Sequence, residues 1–513
     1  MDQRRLDQLS SNNSSLHPLE LSLLRSDVKS REEAIERLET QLQALKSQCQ
    51  ARKVLLAPLR RSVLPPELLG EIFYRTLEVS KVETSRQVVD MCLVCKAWRD
   101  AALTTPSLWV EINIRAEGRV EFPKVNIWLS RSGIIPKKLS IDASNSSAFP
   151  RSGCFLSSPE LAHMLAAGLP LKSLSLKCDY PRCFNNLFAM SSAIETTSPR
   201  PWDTLESLNV DCDYSWDDWG GSGLDFFPLL PQSLSSLSIH IPDPDFLPMG
   251  ASPPEPPSFL SLSTLLIQCE FPVAWMLKTL ESCPNLENVT LDFNNSCPKN
   301  GDEVPFGGDV RSFPKYRAFK LYGLYCPYVD STEILCFLSM PSLVELHIGF
   351  ECWSDEVADL DMPEIGSNIV QFSNQSNGFV VLDTLCLSRM TISSTGLNSI
   401  FRALPSVTHL ILEDIEIHDG YPIIEDLLLP RLQVLEVLNL PDGDEYRSQS
   451  LYAFIEKRSP RSSLETAGNP SGTIASIQQA KISIPHQKRP SADDSRYMER
   501  LKEGGVDFTL TFS

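Results

Sequence analysis

Ten six-residue segments between Leu171 and Val437 carry apolar side chains at their first, fourth and sixth positions. In chain order they are LKSLSL (from Leu171), LESLNV (Leu205), LSSLSI (Leu234), LSTLLI (Leu262), LENVTL (Leu286), YRAFKL (Tyr316), LVELHI (Leu343), LDTLCL (Leu382), VTHLIL (Val407) and LQVLEV (Leu432). Positions 4 and 6 fall on one face of an extended chain. Successive segments start 24 to 39 residues apart, a spacing that marks stacked repeats, because one such strand cannot bury its apolar face alone. The runs LESCPNL, FLSMPSL and FRALPSV place a helix-like stretch ahead of Pro284, Pro341 and Pro405. Proline there stops a helix and releases an extended chain. One strand and one helix per repeat predict an α/β array with a parallel sheet of about ten strands from roughly Leu139 onward. Leu174, Leu176, Leu265, Ile267, Val289, Leu291, Leu346, Ile348, Leu385, Leu387, Leu410 and Leu412 are its expected buried positions.

The alternate positions of the same segments point the other way. They include Lys177, Asp211, His240, Asp292, Lys320, Tyr322, Glu345, His347, His409, Glu413 and Glu436. An open sheet face with aromatic, histidine and charged groups suits protein binding. The early repeats offer mostly serines there, whereas Lys320, Tyr322, Glu345, His347, His409 and Glu413 can make directional contacts. These six are the expected target-binding residues.

No pattern in the chain points to chemistry. There is no phosphate-binding loop, no H-E-x-x-H and no G-x-S-x-G. The expectation is a non-enzyme without catalytic residues, metal or cofactor. The 14 cysteines are spread over 513 residues, which is not the density of a disulfide scaffold. Cys92 and Cys95 form a C-x-x-C pair with no second pair nearby, so a structural role is expected rather than zinc. Cys178, Cys212 and Cys269 share the parity of the inward positions and read as small buried hydrophobes. A net charge of −19 repels phosphate backbones and argues against nucleic acid as a partner. No run reaches the roughly 18 apolar residues of a membrane span, and no signal segment opens the chain. A cytoplasmic or nuclear location follows as the expectation.

The chain exceeds one ordinary core, and its N-terminal part is unlike the array. Residues 1–25 are polar and expected to be disordered. Over 26–57 a helix is predicted in which Val28, Ile35, Leu42 and Cys49 recur on one heptad position and Leu38 and Leu45 on another, with Arg31 breaking the seam. Such a short seam can pair with a second copy or fold back on the next helices. Residues 58–114 read as a compact helical unit. Pro65 and Pro66 suit a helix start, Glu67 suits its dipole, and Leu68, Leu69, Ile72 and Phe73 follow at helical spacing. A second run, VVDMCLVCKAWRDAAL, places Met91, Val94, Cys95, Trp98, Ala101 and Ala102 on one face of a single helix. So much apolar surface exceeds what a unit of about 50 residues can bury, so part of it is expected to meet another protein. Residues 115–458 form the array, 459–495 are rich in Ser, Pro and charge and expected to be disordered, and 496–513 end in VDFTLTF, a possible capping strand.

LPPELLGEIF followed by LVCKAWRDAALTTPSLW resembles the F-box motif. The tail Thr105 to Trp109 and the stretch Trp128 to Ile141 are similar to the large F-box family of mushroom-forming fungi, with Lys137 and Lys138 where members often have Pro-Leu. The strand-plus-helix array resembles leucine-rich repeats, although only LENVTLDFN supplies the expected asparagine, at Asn294. The resemblance implies an all-α F-box and a curved repeat solenoid. It implies docking on a Skp-type adaptor through Leu64, Pro65, Pro66, Glu67, Leu68, Ile72, Phe73, Val94, Cys95 and Trp98, and through it on a cullin-RING ubiquitin ligase, with the array binding a target. The alternative is a repeat scaffold whose F-box-like piece packs only within its own chain. In that case Pro65, Leu68, Val94 and Trp98 would all be covered.

Overall fold

The computed structural model describes residues 17–61, 64–79, 84–115, 120–144, 154–179, 182–195, 200–212, 226–240, 258–268, 273–293, 309–325, 329–351, 363–417, 428–439, 445–461, 474–484 and 492–512. Cys269, Asn294 and nearly all of the acidic and Pro-rich insertions after Cys212 and His240 lie outside them. The chain divides into two units, Met1–Leu108 and Trp109–Ser513. No helix among the described residues is long and apolar enough to cross a membrane.

The first unit is helical: α1 (Pro18–Arg61), α2 (Pro66–Val79), α3 (Thr84–Val94) and α4 (Lys96–Leu103). Helix α1 starts at Pro18, inside the stretch expected to be disordered. Proline is tolerated in a first helical turn, and Glu20 there complements the dipole. Its seam does not fold back on the following helices: Val28, Ile35, Leu38, Leu42, Leu45 and Cys49 are all exposed. The second helical run is also not one helix. It breaks at Cys95, whose φ of −164° and ψ of 170° are extended. The break is satisfied on both sides. Arg99 Nε donates to the Cys92 carbonyl at 3.1 Å, covering an end of α3, and the Cys95 carbonyl accepts the Arg99 N–H at 3.0 Å to open α4. No proline or glycine between Thr84 and Leu103 announces it.

In the second unit strands and helices interleave, but not every described strand is followed by an α-helix: β1 (Glu111–Arg115), α5 (Phe122–Ser130), β2 (Lys137–Asp142), α6 (Pro159–Ala167), β3 (Leu171–Cys178), α7 (Arg182–Ala193), β4 (Ser207–Cys212), β5 (Ser236–His240), β6 (Thr264–Gln268), α8 (Val273–Glu281) and β7 (Asn288–Asp292). Then follow β8 (Arg311–Ser312), β9 (Ala318–Tyr325), β10 (Leu338–Ser339), β11 (Glu345–Glu351), α9 (Pro363–Gln375), β12 (Thr384–Ile392), α10 (Ser394–Ala403), β13 (His409–Ile417), β14 (Val434–Leu438), α11 (Glu445–Lys457), β15 (Gln479–Ile484), α12 (Ala492–Glu503) and β16 (Asp507–Phe512). Fourteen of these strands form one sheet in chain order, and every neighbouring pair is parallel. The short β8 and β10 pair separately.

Register turns the sequence alternation into continuous apolar rows. Ile112, Leu139, Leu174, Leu208, Leu237, Leu265, Val289, Phe319, Leu346, Leu385, Leu410 and Leu435 stand side by side. All but the partly buried Ile112 are buried in one core with side chains of the helices. The three prolines act through turns: Leu286, Leu343 and Val407 donate to the carbonyls of Cys283, Met340 and Leu404, with Pro284, Pro341 and Pro405 second in each turn. The stretch before Pro341 is a 3₁₀ helix (Val329–Phe337) and β10 rather than an α-helix.

Within the segment read as disordered from 459 to 495, residues 479–484 form β15, an inner strand of the sheet. Ala480 and Ile482 continue the buried rows. The buried Arg458 helps hold this region in place. Its guanidinium donates to the carbonyls of Leu428, Leu429 and Ala475 at 3.1, 2.8 and 3.3 Å. Strand β16 then caps the sheet edge.

Candidate partner-binding surfaces

Helix α2 is two-sided. Leu69, Phe73 and Leu77 recur every four residues and are buried, as helical periodicity requires of a core-facing stripe. Gly70 shares that side. A Cβ there would collide with Thr105 Oγ1, so only glycine admits this approach of Thr105, whose hydroxyl donates to the Ala101 carbonyl at 2.7 Å. Phe73, placed from sequence among the docking residues, is 2% exposed and turns inward. Its ring lies 4.8 Å from that of Trp98, which fixes the tryptophan instead of offering itself.

On the opposite side Leu64, Leu68 and Ile72 are 44, 54 and 48% exposed. Pro65, Pro66 and Glu67 are exposed beside them. The Pro65 carbonyl accepts the Leu69 N–H at 3.1 Å, so the two prolines shape the helix start and remain at the surface. Val94, at the end of α3, is exposed, and Cys95 and Trp98 are half-buried. Val89, Leu93 and Leu103, outside the expected docking set, are also exposed.

The second surface is the sheet face opposite the buried rows. Parallel register brings Lys320 beside His347, and His347 beside Cys386. Glu345 lies beside Thr384, and Thr384 beside His409. Tyr322 Oη lies 3.2 Å from His347 Nδ1, Lys320 Nζ 3.8 Å from Glu345, and His409 Nε2 3.2 Å from Glu436. Five of the six expected residues thus take part in these pairs, while Glu413 stands beside Ser388 in register. Gly349 is one residue that sequence reasoning missed. A Cβ at this position would meet Ser388 Oγ at 2.6 Å and Tyr322 Cδ1 at 2.9 Å, so its absence gives the tyrosine ring its place. Lys481, 3.6 Å from Glu436, was also missed because it lies on β15. The alternation in QAKISI was the available signal. A further row in the early strands joins Lys177 Nζ to Asp211 at 3.4 Å and Asp211 to His240 Nδ1 at 2.6 Å. The His240 contact, against partial burial, lowers the Asp211 carboxyl below its ordinary range.

Burial, and after it the Lys320 ammonium, lower His347 to about 4, while burial first raises Tyr322 to about 12. Both are therefore neutral at pH 7, and in the tautomer protonated at Nε2 the imidazole Nδ1 can accept a hydrogen bond from the phenol O–H. A depressed histidine pKa means that the stability linked to the neutral ring is complete above the unfolded value of about 6.5 and is lost as pH falls toward 4. In an NMR titration the His347 ring is expected to stay neutral from pH 8 to 5.5. A midpoint near 6.5 would show that the ring is not desolvated.

A family model described as F-box-like matches residues 62–115. The match takes in α2, α3 and α4 and ends on β1. The chain therefore carries an F-box-like domain. No curated protein matches the chain.

Proposed function

We propose that the protein is the substrate-recognition subunit of an SCF-type ubiquitin ligase. In this reading the F-box-like domain binds a Skp-type adaptor, and the sheet face around Lys320, Tyr322, Glu345, His347, His409 and Glu413 binds the target. The observation that carries the reading is the exposed stripe Leu64, Leu68 and Ile72, with Pro65 and Val94 also exposed, inside the F-box-like match. A scaffold that only packs against itself would cover these side chains. The protein would form no covalent bond itself. It would supply proximity, holding target lysines near a charged conjugating enzyme.

The test is co-expression with a Skp-type adaptor followed by size-exclusion chromatography. Co-elution as a stable complex is expected, and separate elution of two folded proteins would return the chain to the scaffold reading. Once a target is captured, Tyr322→Ala with His347→Ala is expected to weaken its capture at least tenfold with adaptor binding unchanged. Undiminished capture would place the target site elsewhere.

A further inference from the structure

Strand β3 ends at Cys178, and two further thiols from separate elements meet it there. Cys154 immediately precedes the 3₁₀ turn Phe155–Ser157, and Cys183 is the second residue of α7. The three sulfurs lie within 4.8 Å of one another. Cys178 and Cys183 are buried, and Cys154 is half-buried and so the most accessible of the three. Burial of small side chains does not require this convergence. Cys212, beside Cys178 in the ladder, is equally buried and its thiol also reaches that of Cys178, but its Sγ donates to the Asp179 carbonyl at 3.3 Å and it is not one of the three mutually close sulfurs.

We propose that Cys154, Cys178 and Cys183 form a zinc site with a fourth ligand from the solvent side. Zinc–sulfur bonds of about 2.3 Å in a tetrahedron separate the sulfurs by about 3.8 Å, so the three thiols need to close by no more than about 1 Å. Thiolates select zinc or Cu⁺ over the oxygen-seeking calcium and magnesium. Charge then favours zinc. Three thiolates around Zn²⁺ leave a net charge of −1, whereas around Cu⁺ they leave −2, and buried net charge is costly. Each thiol releases its proton to solvent as its sulfur binds. The ion would join the turn after Cys154, the end of β3 and the start of α7, and would stabilise the early strands because it binds only when these are folded. The site is independent of the ligase reading.

The full-length chain, loaded with Zn²⁺ and dialysed, is expected to hold one equivalent by elemental analysis. Co²⁺ in its place should give an intense thiolate-to-cobalt charge-transfer band. Cys154→Ser, at the half-buried position, and Cys183→Ala should each lower metal affinity at least tenfold. Cys283→Ala, a buried thiol of another turn, should not. Wild type that keeps no zinc and shows no charge-transfer band overturns the site, whatever the variants' folding. Zinc retained by both variants also overturns it, and retention of Cu⁺ but not Zn²⁺ overturns the zinc assignment.

Discussion

Pro65→Ala combined with Leu68→Ala is expected to abolish co-purification of a Skp-type adaptor while the chain stays folded. Both side chains are exposed, so neither supports the core directly. The inward row Leu69, Phe73 and Leu77 remains intact, and alanine at 65 keeps the carbonyl that accepts the Leu69 N–H. An anchor residue at the centre of an interface costs about 2 kcal/mol or more on truncation, roughly a 30-fold loss. Two such losses would take a nanomolar complex toward the micromolar range, below what survives a wash. Circular dichroism and thermal melting should match wild type. Undiminished adaptor capture by the double variant would remove α2 from the interface.

The second large effect is expected inside the sheet unit. Phe372 on α9 is fully buried. Its ring stands 6.3 Å from Phe319 of β9 and 4.8 Å from Phe379, edge-on to both. Phe372→Ala should cost about 3–5 kcal/mol, because the lost contacts leave a cavity that packed neighbours cannot close. Each inner strand pairs only with its two neighbours, so the loss should be local. Hydrogen exchange at β9 and β11 is expected to accelerate roughly 100-fold or more, while β2 and β3 keep their protection. If the sheet face binds the target as proposed, target capture should weaken while adaptor binding persists. Equal loss of protection in every strand would mean that the unit unfolds as one cooperative block.

The parts of this protein legible in its sequence are those set by local periodicity. Apolar side chains two residues apart in an extended segment must share a face, and so the inward rows, from Leu174 and Leu176 to Leu410 and Leu412, follow from spacing alone. The same holds for the outward residues on β9, β11 and β13. Helical spacing likewise marks Leu68, Leu69, Ile72 and Phe73 as the apolar residues of α2.

What spacing leaves open is which of two apolar stripes is buried, and here the tertiary structure decided. Phe73 turned inward because Trp98 of α4 lies over it. The break at Cys95 depends on Arg99 reaching back to the Cys92 carbonyl, a contact that no helix propensity encodes. Strand β15 depends on an open edge of the sheet beside β14 and on the carbonyls that Arg458 gathers, so a Ser- and Pro-rich surrounding composition concealed it. Tyr322 and His347 are 25 residues apart in the chain, and Cys154 and Cys183 lie in different elements. Their meetings are products of strand register and helix packing, which act between segments that local spacing cannot relate.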